Sequence, residues 1–281
     1  MTSAPALSRS YLDDGAVPDA RTSRLLLGAL VSGLLIDRLL PLWGQVIAGV
    51  MTWGLFLWLY RTMPAPAKRL LMSCLVVATM GEIFCSLVWQ LYDYRLLSIP
   101  FYVPPGHVLV FLLGSGLAQR MPHSVVRIVP LCMIPCAVLG FALGFDEFGI
   151  VLFAMFLACL IAEKDRRLYA TMFLLCLLLE IFGTLLGNWR WKETVPFWGL
   201  STTNPPVSAG TFYCLLDFLM LRLVLAADSL GGFFTRQASL CADFVRSLTG
   251  PAAPGIPAPV ESSEKKLRMP AGAGEAGRTK G

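Results

Sequence analysis

Charge is scarce in this sequence. Only 15% of its 281 residues are Asp, Glu, Lys or Arg, against about 25% in an ordinary soluble domain. That leaves too few polar groups to coat a water-facing surface. Histidine is scarcer still: His107 and His123 are the only two, which excludes a metal centre built from a histidine cluster. There is no glycine-rich phosphate loop and no dinucleotide fingerprint, so ATP-driven or NAD-dependent work by this chain is not expected. None of the eight cysteines forms a CxxC pair. Most sit inside apolar runs, where a free thiol packs as a small hydrophobe. We therefore expect no disulfide, no metal site and no cofactor. No basic patch suggests nucleic acid.

What is abundant is apolar sequence. Hydrophobic residues make up 56% of the chain and fall into runs of roughly 16 to 22, the length that crosses a ~30 Å hydrocarbon core as a helix. Amides in lipid must be paired within their own segment, so each run is expected to be helical. The expected fold class is an all-α, polytopic transmembrane bundle of about eight spans. These begin near Leu25, Val46, Leu70, His107, Val126, Gly149, Leu168 and Thr211. Residues 1–23 read as a disordered cytoplasmic lead without a cleavable signal pattern. Residues 24–119 and 120–228 read as two transmembrane halves. Residues 229–248 space their apolar positions as an amphipathic helix on the inner membrane surface, and 249–281 as a disordered tail.

Orientation follows from the basic loops. With the N-terminus inside, the loops 61–69, 120–127 and 163–167 and the basic tail all fall on the cytoplasmic side, as the positive-inside bias requires. The expected location is a bacterial-type inner membrane, multi-pass, with both termini cytoplasmic. The acidic Asp146–Glu147 turn and both aromatic loops then face outward.

The chain also matches itself. Residues 68–89 and 166–187, an offset of 98, agree without a gap at six of 22 positions, including an entire Glu-Ile-Phe triplet. Leucine identities between apolar helices are cheap. A glutamate at the same depth in both is not, because a central carboxylate costs at least ~2.5 kcal/mol on insertion scales. Glu82 and Glu180 each lie 12 residues beyond the span starts at Leu70 and Leu168. At ~1.5 Å per residue that is ~18 Å from the inner surface, past the midplane. The expectation is an internal duplication that brings both carboxylates to one cavity toward the outer leaflet.

Around them, Tyr92, Tyr94, Pro100 and the pair Pro104–Pro105 follow Glu82, and Trp189, Trp191, Pro196 and the pair Pro205–Pro206 follow Glu180. The rings suit an interfacial belt or a binding wall; the prolines suit the first turn of the next helix. His107 follows the first proline pair directly. It is either a proton donor above the cavity or an interfacial residue. Asn204 stands beside the second pair. Asp217 on the last span reads as a third member of the cluster, and Arg222 as a side chain reaching toward the inner surface rather than its counter-ion.

The series Glu82, Tyr92, Tyr94, Pro100, with its second copy Glu180, Trp191, Pro196, resembles the integral-membrane carotenoid-biosynthesis proteins of the carotenoid hydratase and membrane lycopene-cyclase type. That resemblance implies repeated helices and an isoprenoid substrate. Two functions remain open. One is acid–base chemistry on an isoprenoid or other lipid, with Glu82, Glu180, His107 and Tyr94 catalytic and Tyr92, Trp189, Trp191, Asn204 and Asp217 holding a hydrophobic small molecule. In it Glu82 gives the proton and Glu180 is its partner. The other is a non-catalytic membrane protein that binds lipid or a small molecule, acts as a permease, or helps an assembly form. The expected topology is testable first: reporters fused at Asp146 and at Lys164 should report opposite sides, and the same side for both sinks the eight-span orientation.

Overall fold

The computed structural model describes residues 17–40 and 42–229. The expected surface helix over 229–248 falls outside these residues but for Ser229, as do the tail and positions 1–16 of the lead. The described chain is helical almost throughout. The helices are α1 (Ala20–Leu39), α2 (Trp43–Thr62), α3 (Ala65–Glu82), α4 (Val103–Arg120), α5 (Val125–Ala142), α6 (Glu147–Ala162) and α7 (Arg166–Leu186). A last helix, α8, covers 211–229. The lead is shorter than the sequence suggests. Asp19 accepts a hydrogen bond from the Thr22 amide and starts α1 at Ala20, as an N-cap does.

Three helices are long and apolar enough to cross a membrane: Ala65–Val88, Val125–Ala142 and Arg166–Leu186; α6 is apolar but shorter. Large apolar side chains on their outer surfaces, such as Leu131, Leu178 and Leu185, stay exposed. Water solvates such a surface poorly and lipid solvates it well. The fainter helices have a physical reason to be fainter. α1, α2 and α4 carry Gly33, Thr52, Gly106 and His107 toward an interior cavity, so they cannot be uniformly apolar.

α4 and α7 form the middle. α4 is buried on nearly every side from His107 to Gly116, and α7 lies against it. The α1–α2 hairpin packs on α4, and the α5–α6 hairpin packs on α7. α8 closes on α7 and α6 through Cys214, whose thiol donates to the Tyr169 carbonyl, and Thr211, whose hydroxyl donates to Leu152. The proline pair 104–105 sits in the first turn of α4, as expected. The pair 205–206 does not start a helix; it lies in a turn several residues before α8.

Two short strands interrupt the helices. β1 (Tyr92–Tyr94) and β2 (Trp189–Trp191) pair antiparallel, with Tyr92 opposite Trp191, Asp93 opposite Arg190 and Tyr94 opposite Trp189. Side chains alternate along a strand, so the rings turn inward while Asp93 and Arg190 stay exposed. Lys192 pairs with Asp93 across the ribbon.

Each ribbon-bearing loop is tied down by a buried aspartate. Asp37, at the end of α1, is 0% exposed. It accepts from the Tyr102 hydroxyl at 2.7 Å and from the Arg95 guanidinium at 2.5 Å. Asp146, ahead of α6, is equally buried. It caps the Gly149 amide and accepts from the Val207 amide and the Thr203 hydroxyl. Both aspartates read as turn residues in the sequence; both are anchors. Removing one partner of a buried charged pair costs about 3–5 kcal/mol. Asp37→Ala should therefore lower unfolding stability in detergent by about that much, and Asp37→Asn by less, since Asn still accepts. An unchanged melting curve for Asp37→Ala sinks the anchoring role.

Candidate functional site

Glu82 ends the α-helical part of α3, and Glu180 lies near the end of α7. Each is 7% exposed. A carboxylate with so little water needs protein donors, and each has three. Glu82 Oε2 accepts from the Tyr92 hydroxyl at 2.8 Å and the Tyr94 hydroxyl at 2.6 Å; its Oε1 lies 2.8 Å from His107 Nε2 on α4. Glu180 Oε2 accepts from the indole N–H of Trp189 at 2.8 Å and of Trp191 at 3.1 Å; its Oε1 accepts from the Tyr213 hydroxyl on α8 at 3.3 Å. Each glutamate thus takes two donors from the strand that follows it and one from the helix after that.

The two shells touch. The rings of Tyr92 and Trp191 lie 4.8 Å apart between centroids, and those of His107 and Tyr213 4.7 Å apart. The rings that the sequence offers as an interfacial belt are therefore inward donors. Trp198, further along the second aromatic loop, remains exposed.

The loops meet in register despite an unequal residue count. Tyr92 and Tyr94 follow Glu82 by 10 and 12 residues, while Trp189 and Trp191 follow Glu180 by 9 and 11. The difference is taken up by a π turn over Ile83–Val88, where the Trp89 amide bonds the Phe84 carbonyl. A π turn closes i→i+5 rather than i→i+4, so it absorbs one extra residue. After it, Gln90 takes the left-handed conformation (φ 58°) that Gly187 (φ 73°) takes at the end of α7. Glycine is at ease there; glutamine is strained.

Burial, and then the Glu82 carboxylate beside them, push the Tyr92 and Tyr94 hydroxyls well above the usual phenol range. They stay protonated and donate. The His107 contact differs. An ionised carboxylate only accepts, so the shared proton sits on Nε2 when Glu82 is ionised and on Oε1 when Glu82 is neutral. This pair holds a proton that can move. Around Glu180 the two indoles only donate, and Tyr213 alone can pass a proton on.

Both glutamates face one cavity of about 80 Å³. Its polar wall includes Glu82, Glu180, Tyr92, Tyr94, His107 and Tyr213, with Thr52, Tyr102 and Trp189 beside them; its apolar wall includes Leu30, Leu34, Val110 and Leu179. Trp191 bonds Glu180 without forming part of the wall. Asn204 is also outside it: its side-chain oxygen accepts from the Trp191 amide and steadies the strand. Asp217 does not join the glutamates. It lies four residues, one helical turn, beyond Tyr213 on α8 and outside the cavity. Arg222 pairs with Glu163 at 2.6 Å. Nothing in the sequence sets Tyr102 and Arg95 apart, although Tyr102 lines the cavity.

Among the described residues, no group of three His, Cys, Asp or Glu side chains is arranged to hold a metal ion. The seven described cysteines are free. No family model, curated protein or solved structure matches this chain.

Gly183 is where the second shell can be tested. A Cβ there would run into the Trp189 ring, whereas at Gly28 it would meet nothing within 4 Å. Gly183→Ala should push Trp189 off Glu180, change the intrinsic tryptophan emission and cost about 1–3 kcal/mol, the range for a buried group left without a partner. Gly28→Ala should be neutral or stabilising. Equal effects from the two variants would remove the tight fit at Gly183.

Proposed function

We propose that this chain spans a bacterial-type inner membrane eight times, as two related four-helix halves, and carries out acid–base chemistry on an isoprenoid or other apolar lipid. One observation carries the reading. Two buried carboxylates, each held by three ring donors, face a single cavity whose remaining wall is apolar but for Thr52 and Tyr102. Water-soluble substrates gain little from such a wall.

The duplication is supported by matched parts in matched order. Each half has an aspartate at its first turn, a glutamate late in its third helix, an aromatic–charged–aromatic strand, and a donor in its fourth helix. The ribbon register is symmetric about Asp93 and Arg190, as a twofold axis through that pair requires. An even number of spans per half keeps the halves parallel, with the axis along the membrane normal.

In this reading the His107–Glu82 pair gives a proton to a carbon–carbon double bond. The π bond breaks, a C–H bond forms and the neighbouring carbon becomes cationic. Glu180 and the ring faces stabilise that cation; a desolvated cation over a ring gains about 2 kcal/mol. Glu180 Oε1 then takes a proton from an adjacent carbon and a new double bond forms, so the substrate leaves isomerised or cyclised with its atoms conserved. A cavity of about 80 Å³ is small beside the ~300–1,000 Å³ of drug-sized sites. It fits the reacting end of a chain, with the rest lying along the apolar wall toward lipid. The likeness of Glu82, Tyr92 and Tyr94 to carotenoid-biosynthesis proteins supports an isoprenoid.

The saturation of both carboxylates also supports a second reading, in which they lock the bundle of a non-catalytic binder, permease or assembly partner. Lipid and pigment profiles separate the two. In a host lacking the gene, Glu82→Gln and His107→Ala should each lower conversion by about 10²-fold or more, the usual contribution of a positioned proton donor. Glu180→Gln should do likewise. Full restoration of the wild-type profile by stably inserted Glu82→Gln and Glu180→Gln ends the enzyme reading and leaves the structural one.

A further inference from the structure

Asp217 is 5% exposed, and its Oδ2 has no hydrogen-bond partner in the protein. A carboxylate inside an apolar bundle costs about 2.5–3.5 kcal/mol even on insertion scales, and a lone one is not kept without a use. Among the described residues, no cation pairs with it. Arg222, five residues on, is committed to Glu163. The groups that feel the Asp217 charge are Cys74, Cys159, Cys176 and Cys214 and the Tyr169 hydroxyl. That hydroxyl is buried and also unpartnered. Two polar side chains with unmet hydrogen bonds therefore share one electrostatic neighbourhood, below the glutamate cavity and separate from it.

The neighbourhood connects in both directions. Above, Tyr213 lies one turn away on the same face of α8, about 5–6 Å between Cβ atoms, and its hydroxyl already donates to Glu180. Below, Glu163 acts on the same Tyr169 hydroxyl that Asp217 does. Glu163 lies in the basic 163–167 loop, and its partner Arg222 is half-exposed. A ladder of proton-bearing groups thus runs from the cavity to that end of the bundle.

We propose that Asp217 is a proton-relay carboxylate, through which the proton left on Glu180 exits to the Glu163–Arg222 end. This rests on the acid–base reading of the cavity and adds the route that resets it. Asp217 is a neutral acid at rest and first releases its proton past the Tyr169 hydroxyl to Glu163 and solvent. Glu180 then returns its proton to the Tyr213 oxygen as Tyr213 passes its own, through one bridging water, to the Asp217 carboxylate. Glu180 is again a carboxylate, Tyr213 again a neutral phenol and Asp217 again a neutral acid, so protons and charge are conserved over the two transfers. Asp217 touches no substrate; it acts through Tyr213 and Glu180. The cysteines around it neither supply nor take the proton.

Infrared spectroscopy of the full chain in lipid bilayers, without substrate, tests this directly. Asp217→Asn should remove one protonated-carboxyl stretch. In the wild type that band should shift promptly in D2O. In Glu163→Gln the shift should slow about 10-fold or more, within the range of a positioned proton-transfer group. Asp217→Glu should move the band and keep its exchange, which covers the case in which the asparagine variant does not fold. A band that stays unshifted over hours, or no band that depends on Asp217, overturns the relay and leaves a sealed structural acid. The readout is independent of lipid chemistry. A sealed Asp217 beside an inactive Glu82→Gln removes the relay alone. An exchanging Asp217 beside fully active glutamate variants removes the enzyme reading alone.

Discussion

Everything in this bundle is arranged around the cost of hiding two carboxylates from water. A buried charged group that loses its partners costs several kcal/mol, while each hydrogen bond to a charged group contributes about 1.5–3 kcal/mol. Each glutamate sets three hydrogen-bond donors against its burial, and none of them is a Lys or Arg. The donors are ring side chains, so the carboxylates keep largely apolar surroundings. Rings at the right distance require backbone to leave the helices, and in an apolar medium every backbone amide that does so must be paired. The two-stranded ribbon meets that demand, because each strand supplies the other's hydrogen bonds. Asp37 and Asp146 then hold the ribbon's flanking loops at fixed points on the first turn of their own half. Carboxylates, ribbon and anchors form one dependency, and α4 and α7 pack between them.

The two shells are alike in geometry and unlike in chemistry. Around Glu82 the donors are two phenols and an imidazole, and the imidazole contact holds a proton that can sit on either atom. Around Glu180 two of the three donors are indoles, which fix the Oε2 atom as an acceptor. Proton traffic at Glu180 is thereby restricted to Oε1 and Tyr213. A symmetric frame with one mobile shell and one rigid shell suits a reaction that needs an acid on one side of a substrate and a charge stabiliser on the other.

The parts of this arrangement that could be read from sequence are those that violate a strong expectation. A glutamate in an apolar run, found twice at the same distance from a basic loop, marks itself, and so Glu82, Glu180 and their common cavity were legible. The helices were legible because their runs have the right length. The rings were visible but ambiguous. A three-residue strand is too short for its alternation to stand out, and a Tyr or Trp near a span end is ordinary at a membrane interface. The π turn left only a one-residue mismatch between the copies, which an ungapped comparison passes over. Asp37 and Asp146 looked like turn residues because their partners, Tyr102 and Val207, are 65 and 61 residues away. Nothing local distinguishes an aspartate that faces solvent from one that anchors a distant loop. Asp217 was legible as a buried acid but not by address: counting residues from the span end gives depth, and only the packing of α8 on α7 separates it from the glutamates.

The cavity itself does not follow the symmetry of the frame, and that asymmetry bears on how it is used. Its walls come mainly from α1, α2 and α4, with Leu179, Glu180, Trp189 and Tyr213 as the contribution from the other half. On the proposed reading, an apolar chain enters on the first half's side of the bundle, beside the His107–Glu82 pair. Glu180 reaches the same cavity from the second half. Behind it, on the proposed relay, stand Tyr213 and the buried Asp217 and Tyr169. On the duplicated reading, one half has kept the surface that admits a substrate and the other has kept the interior that removes a proton. On that reading, two carboxylates that began alike are made unequal by what stands behind each of them.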